Sequence, residues 1–349
     1  MNILKRPLEF AGRPLRPFPY CHDPEVFLSE ENFTAFELDA EPHDCVAQEL
    51  PDDMIISSEI LGHDETRFHS QLAAFNASRL TPAKPHAGWQ QALRRELEFR
   101  SAEGAFIEGL RAAVHGWMPD ELPDVNAFMK WFEALAENGP GQGHALFGWL
   151  ANEASMEQMR WFLRQEAAGE AGFEDLLAYT QVKLPVRPKL EFARNYWDEM
   201  GHGKARAMHG EMLGAMVREL DLRPEIDSTV CESLALANTM LAFATSRRYA
   251  FHSVGALGVI ELTAPGRVKL VSDGMKRLGL NGRMRAYFDL HSVLDVHHSR
   301  AWNDEVIRPL LESDWGCARY IAEGALIRLL CGQRCFDRYS QVLMPAQAA

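Results

Sequence analysis

Several features that define other classes of protein are scarce in this sequence of 349 residues. Cysteine occurs only six times, too thinly for a disulfide framework in so long a chain, which indicates a reducing compartment. No stretch approaches the roughly 18 to 20 apolar residues that cross a bilayer, and the opening residues, MNILKRPLEF, lack the apolar run of a signal peptide. Together these absences predict a cytoplasmic protein without a membrane segment.

Positive charge is also in short supply. Lysine and arginine total 36 against 49 acidic residues, which gives a formal net charge of −13. With no basic stripe to offset this charge, nucleic acid and anionic membranes are not expected as partners. The hydrophobic content of 47% is that of a globular protein, and the expected partner is a small-molecule substrate. A homodimer and an external electron donor are compatible with this composition.

The period-two alternation of half-buried strands is missing as well. Apolar residues recur instead at helical spacing, and no repeat of fixed length is found, so the fold class is predicted as all-α, a bundle of long helices. Residues 1 to about 65 are rich in proline and show no sustained period, which predicts an irregular segment. From there to about Glu137, three prolines interrupt helical runs, which predicts two or three helices.

A glycine-rich loop, NGPGQG, ends this part of the chain. Loops of this composition break regular structure, so we place a domain boundary there. Residues 1–137 are predicted to form an amino-terminal extension and residues 138–349 the main helical domain.

Four local patterns refine the predicted helices. Ser155 with Gln158 fits a capping box, and Thr229 with a glutamate three residues on suggests another capped start. The glycines on either side of His202 are expected to bend one long helix. Gly332 is predicted to lie just past the end of the last helix.

The stretch YFDLHSVLDVHHSRAW carries the strongest functional signal. His291, Asp295 and His298 are spaced four and three residues apart, so at roughly 100° per residue their side chains leave one face of a helix. Two imidazoles and a carboxylate on one face are typical of a non-haem iron site. His297 points elsewhere and is not expected to be a ligand.

Three more predicted helices offer metal-binding side chains on their inward faces. These are Glu166 and Glu170 on the first, Glu199, His202 and His209 on the second, and Glu261 on the third. Acids and histidines from facing helices build di-iron sites in helix bundles. The absence of accompanying thiolates, with an excess of carboxylates, favours iron over zinc.

The three helices differ in how well the sequence singles out a ligand. Glu261 stands in the apolar run GVIELTA, where an acid is costly unless it is paired or bound to a metal. Glu166 and Glu170 lie one turn apart, and the sequence does not choose between them. Asn195 and Asp198 are candidates for orienting ligands.

These residues resemble those of the haem-oxygenase-like di-iron oxidases and oxygenases, often labelled iron-containing redox enzymes. The resemblance covers about residues 142–340 and is carried by EAAGEAGFEDLLAYTQ, NYWDEMGHG, Glu261 and the H-x3-D-x2-H element. It implies a seven-helix fold like that of haem oxygenase, holding two irons that cycle between Fe(II) and Fe(III), with O2 as co-substrate. The activity it implies is N-oxygenation or oxidative C–C cleavage of a small amine, amino acid or fatty acid.

The resemblance also implies roles for individual residues. Carried over by position, Glu261, His291, Asp295 and His298 are metal ligands. His209 is the second-helix histidine, although His202 competes for that role. Glu199 is the additional carboxylate and the candidate catalytic residue.

Other interpretations of the sequence remain open at this point. A protein of the same scaffold would bind haem instead of iron, with His144 as the axial ligand. A helical binding protein would carry the acids as surface features and have no activity. A ferritin-like bundle would use the pairs Glu199-x2-His202 and Asp295-x2-His298, which leaves His291 without a role.

Overall fold

The computed structural model describes residues 64–85, 87–119, 122–170 and 172–344. Within these ranges every regular element is a helix and none is a strand, so the fold is all-α, as predicted. All of them belong to one compact unit, Ala47–Ala349. The irregular segment predicted before Glu65 lies, except for Asp64, outside the described residues.

Three helices precede the glycine-rich loop, as the proline spacing predicts. They are α1 (Glu65–Leu80), α2 (Trp89–Val114) and α3 (Val125–Asn138). Asp64 and Asp124 begin α1 and α3 as N-caps, each accepting a backbone N–H three residues on at 2.9 Å. Apolar side chains of all three share a core with those of the later helices. The domain boundary at residues 137 and 138 stays a prediction.

The rest of the described chain forms ten further α-helices, joined in places by 3-10 turns. They are α4 (Ala145–Asn152), α5 (Met156–Gly169), α6 (Phe173–Thr180), α7 (Val186–Glu199), α8 (His209–Glu219), α9 (Cys231–Thr245), α10 (Ala250–Arg277), α11 (Gly282–Trp302), α12 (Arg308–Ser313) and α13 (Ala318–Leu343). No helix in the described ranges has both the length and the apolar character needed to cross a membrane.

Helix α10 is the central helix, packed against α11 and α13. Two glycines let α10 and α13 approach backbone to backbone. A Cβ atom at Gly255 would lie 1.9 Å from the carbonyl oxygen of Ile321, and one at Gly324 would lie 2.0 Å from that of His252. Any larger side chain at either place would push the two helices apart.

The long helix predicted around His202 is in fact two helices. Helix α7 ends at Glu199 and α8 begins at His209, with two 3-10 turns between them. The backbone at Gly201 and His202 has positive φ, 59° and 55°, which no continuous α-helix adopts. A Cβ atom at Gly201 would lie 2.3 Å from the carbonyl carbon of Ala207, so the loop folds tightly back on itself. This turn brings the end of α7 beside the start of α8.

The remaining local predictions have mixed outcomes. The capping box of Ser155 and Gln158 is present at the start of α5. The prediction for Thr229 is wrong, because Val230 is the N-cap of α9 and donates its N–H to Gln165 at 2.8 Å. The prediction for Gly332 is also wrong: α13 continues past it, since buried apolar residues on the following turns keep the helix packed.

Candidate metal centre

Six of the eight predicted metal ligands lie together in two triads. Within each triad the candidate ligand atoms are all within 4.8 Å of one another. The first triad is Glu199, His209 and His291, and the second is Glu261, Asp295 and His298. Five of these side chains are buried and that of His291 is partly buried.

Helix α11 supplies three of the six side chains from one face. His291, Asp295 and His298 fall on the same side because they are one turn and two turns apart. His297, on the other side of the helix, is exposed and belongs to neither triad. The spacing therefore predicts correctly that these three side chains share one face of a helix, and their role as metal ligands stays a prediction.

The loop between α7 and α8 builds the first triad. It sets His209 Nδ1 at 2.7 Å from Glu199 Oε2, and the rings of His209 and His291 meet edge to face at 4.6 Å. Although a carboxylate is near, His209 Nδ1 is buried and makes no hydrogen bond. A buried ring nitrogen without a hydrogen bond, this close to a carboxylate, fits a site in which both groups bind one ion.

The second triad has the same feature. His298 Nδ1 lies 3.5 Å from Glu261 Oε1 and is buried without a hydrogen bond. Its other ring nitrogen, Nε2, is 3.0 Å from Asp198 Oδ2. Asn195 donates from Nδ2 to Glu261 Oε1 at 2.8 Å. Asn195 and Asp198 thus contact two of the candidate ligands, as expected for groups that orient them.

Acidic side chains in the site are crowded enough to hold protons near neutral pH. Burial, reinforced by Glu261, raises the pKa of Asp295 to about 9. Burial raises the pKa of Glu199 to about 8, with Glu261 adding to the effect. Burial also raises the pKa of Glu170 to about 8, and the largest contribution from a neighbouring charge comes from Glu199. A bound cation would replace these protons and relieve the repulsion between the carboxylates.

The pKa values of the two buried histidines, His209 and His298, shift in opposite directions. Burial, with the neighbouring His298, lowers the pKa of His209 to about 4, so this ring is neutral. Burial also acts against the charged form of His298, but the hydrogen bond to Asp198 and the negative charges of Glu261 and Asp198 outweigh it and raise the pKa to about 11. Both rings present Nδ1 to a carboxylate of their own triad.

The predicted residues that remain lie outside the triads. Glu170 lines the same cavity as the triads and is close enough to Glu199 to be felt electrostatically. Glu166 lies farther along the cavity, where the dominant nearby charges are arginines. His202 is exposed and pairs with Asp198 Oδ1 at 2.7 Å. Of the two second-helix histidines, His209 is the one beside Glu199 and His291.

The histidine considered as a haem ligand is engaged elsewhere. His144 is the N-cap of α4, where its Nδ1 accepts the Leu146 N–H at 3.2 Å. Its Nε2 pairs with Asp337 at 3.2 Å, and it does not line the cavity that the triads share.

Sequence reasoning missed two residues of this cavity, Arg267 and Arg328. Arg328 stands in the apolar run ALIRLLC of α13, the same signal that singled out Glu261 in α10. Burying a charged side chain in such a run is costly unless a group of opposite charge lies near it. The cost of burying a charge in an apolar run therefore singles out Arg328 in the same way as Glu261.

The donor set fits iron. Each triad combines imidazole with carboxylate oxygen and contains no thiolate, the mixture that non-haem iron prefers. Fold and side chains together define a helix-bundle protein with paired histidine and carboxylate triads in its interior.

Comparison with known proteins gives the family. The family model described as iron-containing redox enzyme matches residues 160–333, a region that contains all eight predicted ligands. Over this half of the chain the protein belongs to the iron-containing redox enzyme family, which supports iron as the metal and a general redox role. Among solved structures, a CADD-like protein of unknown function from Nostoc punctiforme PCC 73102 is similar, with 16% identity and a TM-score of 0.48 over 63% of this chain and 99% of that one. No curated protein matches the sequence.

Proposed function

We propose that this protein is a non-haem di-iron oxidase or oxygenase that uses O2 to oxidise a small organic substrate. The observation that carries the proposal is the pair of buried triads beside one cavity. Four of their side chains line that cavity: Glu199, Glu261, His291 and Asp295. Membership of an iron-containing redox family supports the choice of metal.

Each triad would hold one iron. Glu199, His209 and His291 would bind the first, and the residues of the second triad would bind the other. Each triad would supply three protein ligands, and iron held there would supply the chemistry of dioxygen activation.

The chain's own groups fix the ligands in place. His291 Nδ1 donates to the carbonyl oxygen of Tyr287 at 2.7 Å, which leaves Nε2 as the free ligand atom. Asp198 holds His298 from the far side of its ring, and Asn195 holds Glu261. Such outer hydrogen bonds restrict ring rotation and carboxylate tilt, so the ligand atoms are preorganised for binding the metal.

Two carboxylates have roles at the substrate. Glu199 lines the cavity and is our candidate for the catalytic carboxylate, in addition to its role as ligand. Glu170 also lines the cavity and, with its raised pKa, would hold a proton at its carboxyl group beside the substrate. The apolar walls of Phe173, Leu176 and Phe147 would exclude water from the reacting atoms.

Iron loading without oxygen tests the proposal. Protein purified without metal is given Fe(II) anaerobically, and iron content, Mössbauer spectrum and O2 uptake are measured. Two irons per chain, magnetic coupling after exposure to O2 and rapid O2 consumption are expected. Less than one iron per chain without O2 uptake would support a non-catalytic helical protein, and a Soret band that survives Asp295→Ala would support haem.

A further inference from the structure

Two arginines reach the cavity from different helices. Arg267 comes from α10 and Arg328 from α13, and both line it together with the ligand side chains. The guanidinium carbon of Arg267 lies 6.0 Å from the ring centre of Phe147 and 5.3 Å from that of Phe336. Contacts with two aromatic rings hold the side chain of Arg267 in one direction.

Neither guanidinium group has its hydrogen-bonding capacity met. Arg267 makes one long contact, 3.5 Å from Nη1 to Gln142 Oε1. The Nε atom of Arg328 is buried and has no hydrogen-bond partner. Within the described part of the chain, no carboxylate oxygen lies within the 4.0 Å of an ion pair from either group. Since a guanidinium offers five N–H donors, this is an unusual state for two enclosed cations.

Glu166, which lines the same cavity, does not provide an ion-pair partner for the two arginines. Both arginines lower the pKa of Glu166, which is the carboxyl group with the largest effect on the pKa of Arg267. One carboxylate can balance only one of the two cations. Burial raises the pKa of Glu166 despite the opposing effect of the two arginines. Glu166 also lies beyond ion-pair distance of both guanidinium groups, so neither arginine is paired with it.

We propose that Arg267 and Arg328 form an anion subsite that binds the carboxylate of the substrate, so that the substrate is a small organic acid with an apolar body. The inference rests on the proposed function, because it places this substrate in the cavity beside the triads. A planar carboxylate matches the donor geometry of guanidinium groups. The apolar side chains of Leu213, Leu236 and Ile260 on the cavity wall would contact the hydrocarbon part.

The cavity favours a singly charged acid over a phosphate. Five acidic side chains, those of Glu166, Glu170, Glu199, Glu261 and Asp295, line the same space. Those that are ionised would repel a second negative charge on the ligand more strongly than a single one. A monocarboxylate gives the two arginines one partner group at the lowest cost of repulsion.

The test compares matched acids and amides on the full chain without metal, so that a carboxylate cannot bind through iron. Titration calorimetry measures hexanoate against hexanamide, 3-phenylpropanoate against 3-phenylpropanamide, and inorganic phosphate. Each acid is expected to bind at least about tenfold more tightly than its amide, since charge-assisted hydrogen bonds are lost in the amide. Phosphate is expected to bind more weakly than either acid.

Variants then locate the binding. Arg267→Met and Arg328→Met should each reduce the preference for the acid about tenfold or more. The matched controls are Lys269→Met on α10 and Arg338→Met on α13, which remove an exposed cation outside the cavity and should change nothing. Circular dichroism and iron loading show whether each variant is folded.

The outcomes separate this proposal from the proposed function. Equal affinity for acid and amide in the unaltered protein, or no binding of either acid, would overturn the subsite even if a variant did not fold. Preference for the acid that survives both arginine substitutions would also overturn it. Preference for the acid without a coupled iron pair would support the subsite and contradict the di-iron function.

Discussion

The Nδ1 atom of His291 lies 2.7 Å from the carbonyl oxygen of Tyr287, one turn earlier in the same helix. A carbonyl oxygen only accepts, so Nδ1 must carry the proton and donate it. The lone pair of this neutral ring is therefore on Nε2. Helix geometry alone selects the ring nitrogen of His291 that can reach a metal, whereas His298 is fixed by the carboxylate of Asp198 on another helix.

Loss of His291 should remove one iron and leave the other. In His291→Ala the first triad has only two ligands, too few to retain Fe(II), while the second triad is complete. We expect iron content to fall from two to about one per chain, with a Mössbauer spectrum of uncoupled iron. His297→Ala, an exposed histidine on the same helix, is the control and should keep two coupled irons. A coupled pair in His291→Ala would contradict the assignment.

Asp198 is expected to act through His298. Its carboxylate accepts from His298 at 3.0 Å and lies 2.7 Å from His202 on the other side. Asp198→Ala should weaken binding of metal about 10- to 100-fold, the usual effect of losing a group that orients a ligand. The measurement is a competition titration against a chromophoric chelator.

The control for this experiment removes only the outer contact. His202→Ala leaves the hydrogen bond between Asp198 and His298 in place, so affinity for metal should stay within about twofold. An equal loss in both variants would mean that the loop after α7, and not the orientation of His298, supports the site.

The helical spacing of His291, Asp295 and His298 could be read from the sequence because a single helix determines it. Glu261 could be singled out for a similar reason, since the cost of burying an acid in GVIELTA is a local property. The pairing of Glu199 with His209 could not, because it depends on the tight turn at Gly201 and His202. The sequence predicts one long helix through Glu199 and His209, whereas in the structure these residues lie on two helices joined by a tight loop.

Long-range packing explains why the sequence could not distinguish Glu166 from Glu170 and why some helix ends were predicted wrongly. The sequence left Glu166 and Glu170 equivalent, since both lie on one side of one helix. What distinguishes them is the set of charges that other helices bring near, Glu199 for Glu170 and the arginines for Glu166. Helix ends were missed where tertiary contacts decide them, as when Gln165 accepts the N–H of Val230 at the start of α9.

Close packing of α10 and α13 makes a prediction about stability. In Gly255→Ala the new methyl group would lie 1.9 Å from the Ile321 carbonyl oxygen, so the helices must separate. We expect a loss of about 1–3 kcal/mol in the free energy of unfolding, measured by urea denaturation. Gly266→Ala on the same helix meets nothing within 4 Å and should be neutral or gain up to about 1 kcal/mol. Equal effects would contradict backbone contact between α10 and α13.

The buried acids predict how the metal-free protein responds to pH. Folding raises the pKa of Glu170 and Glu199 from 4.5 to about 8 and that of Asp295 from 3.8 to about 9. Between these limits the native state keeps protons that the unfolded chain has lost, so stability falls as pH rises. His209, lowered from 6.5 to about 4, acts in the opposite direction, but only below pH 6.5. His298, raised from 6.5 to about 11, adds to the fall above pH 6.5.

Between pH 6.5 and 8 the site therefore destabilises the metal-free protein progressively, because the three acids and His298 together outweigh what remains of the opposing titration of His209. Urea denaturation at the two pH values should give a lower free energy of unfolding at pH 8, and Glu170→Gln, which cannot ionise, should reduce the difference. With Fe(II) bound anaerobically the trend should reverse, since ligands must lose their protons to bind metal and do so more easily at pH 8. A metal-free protein equally stable at both values would mean that these carboxyl groups are not the crowded, proton-holding cluster that the two triads require.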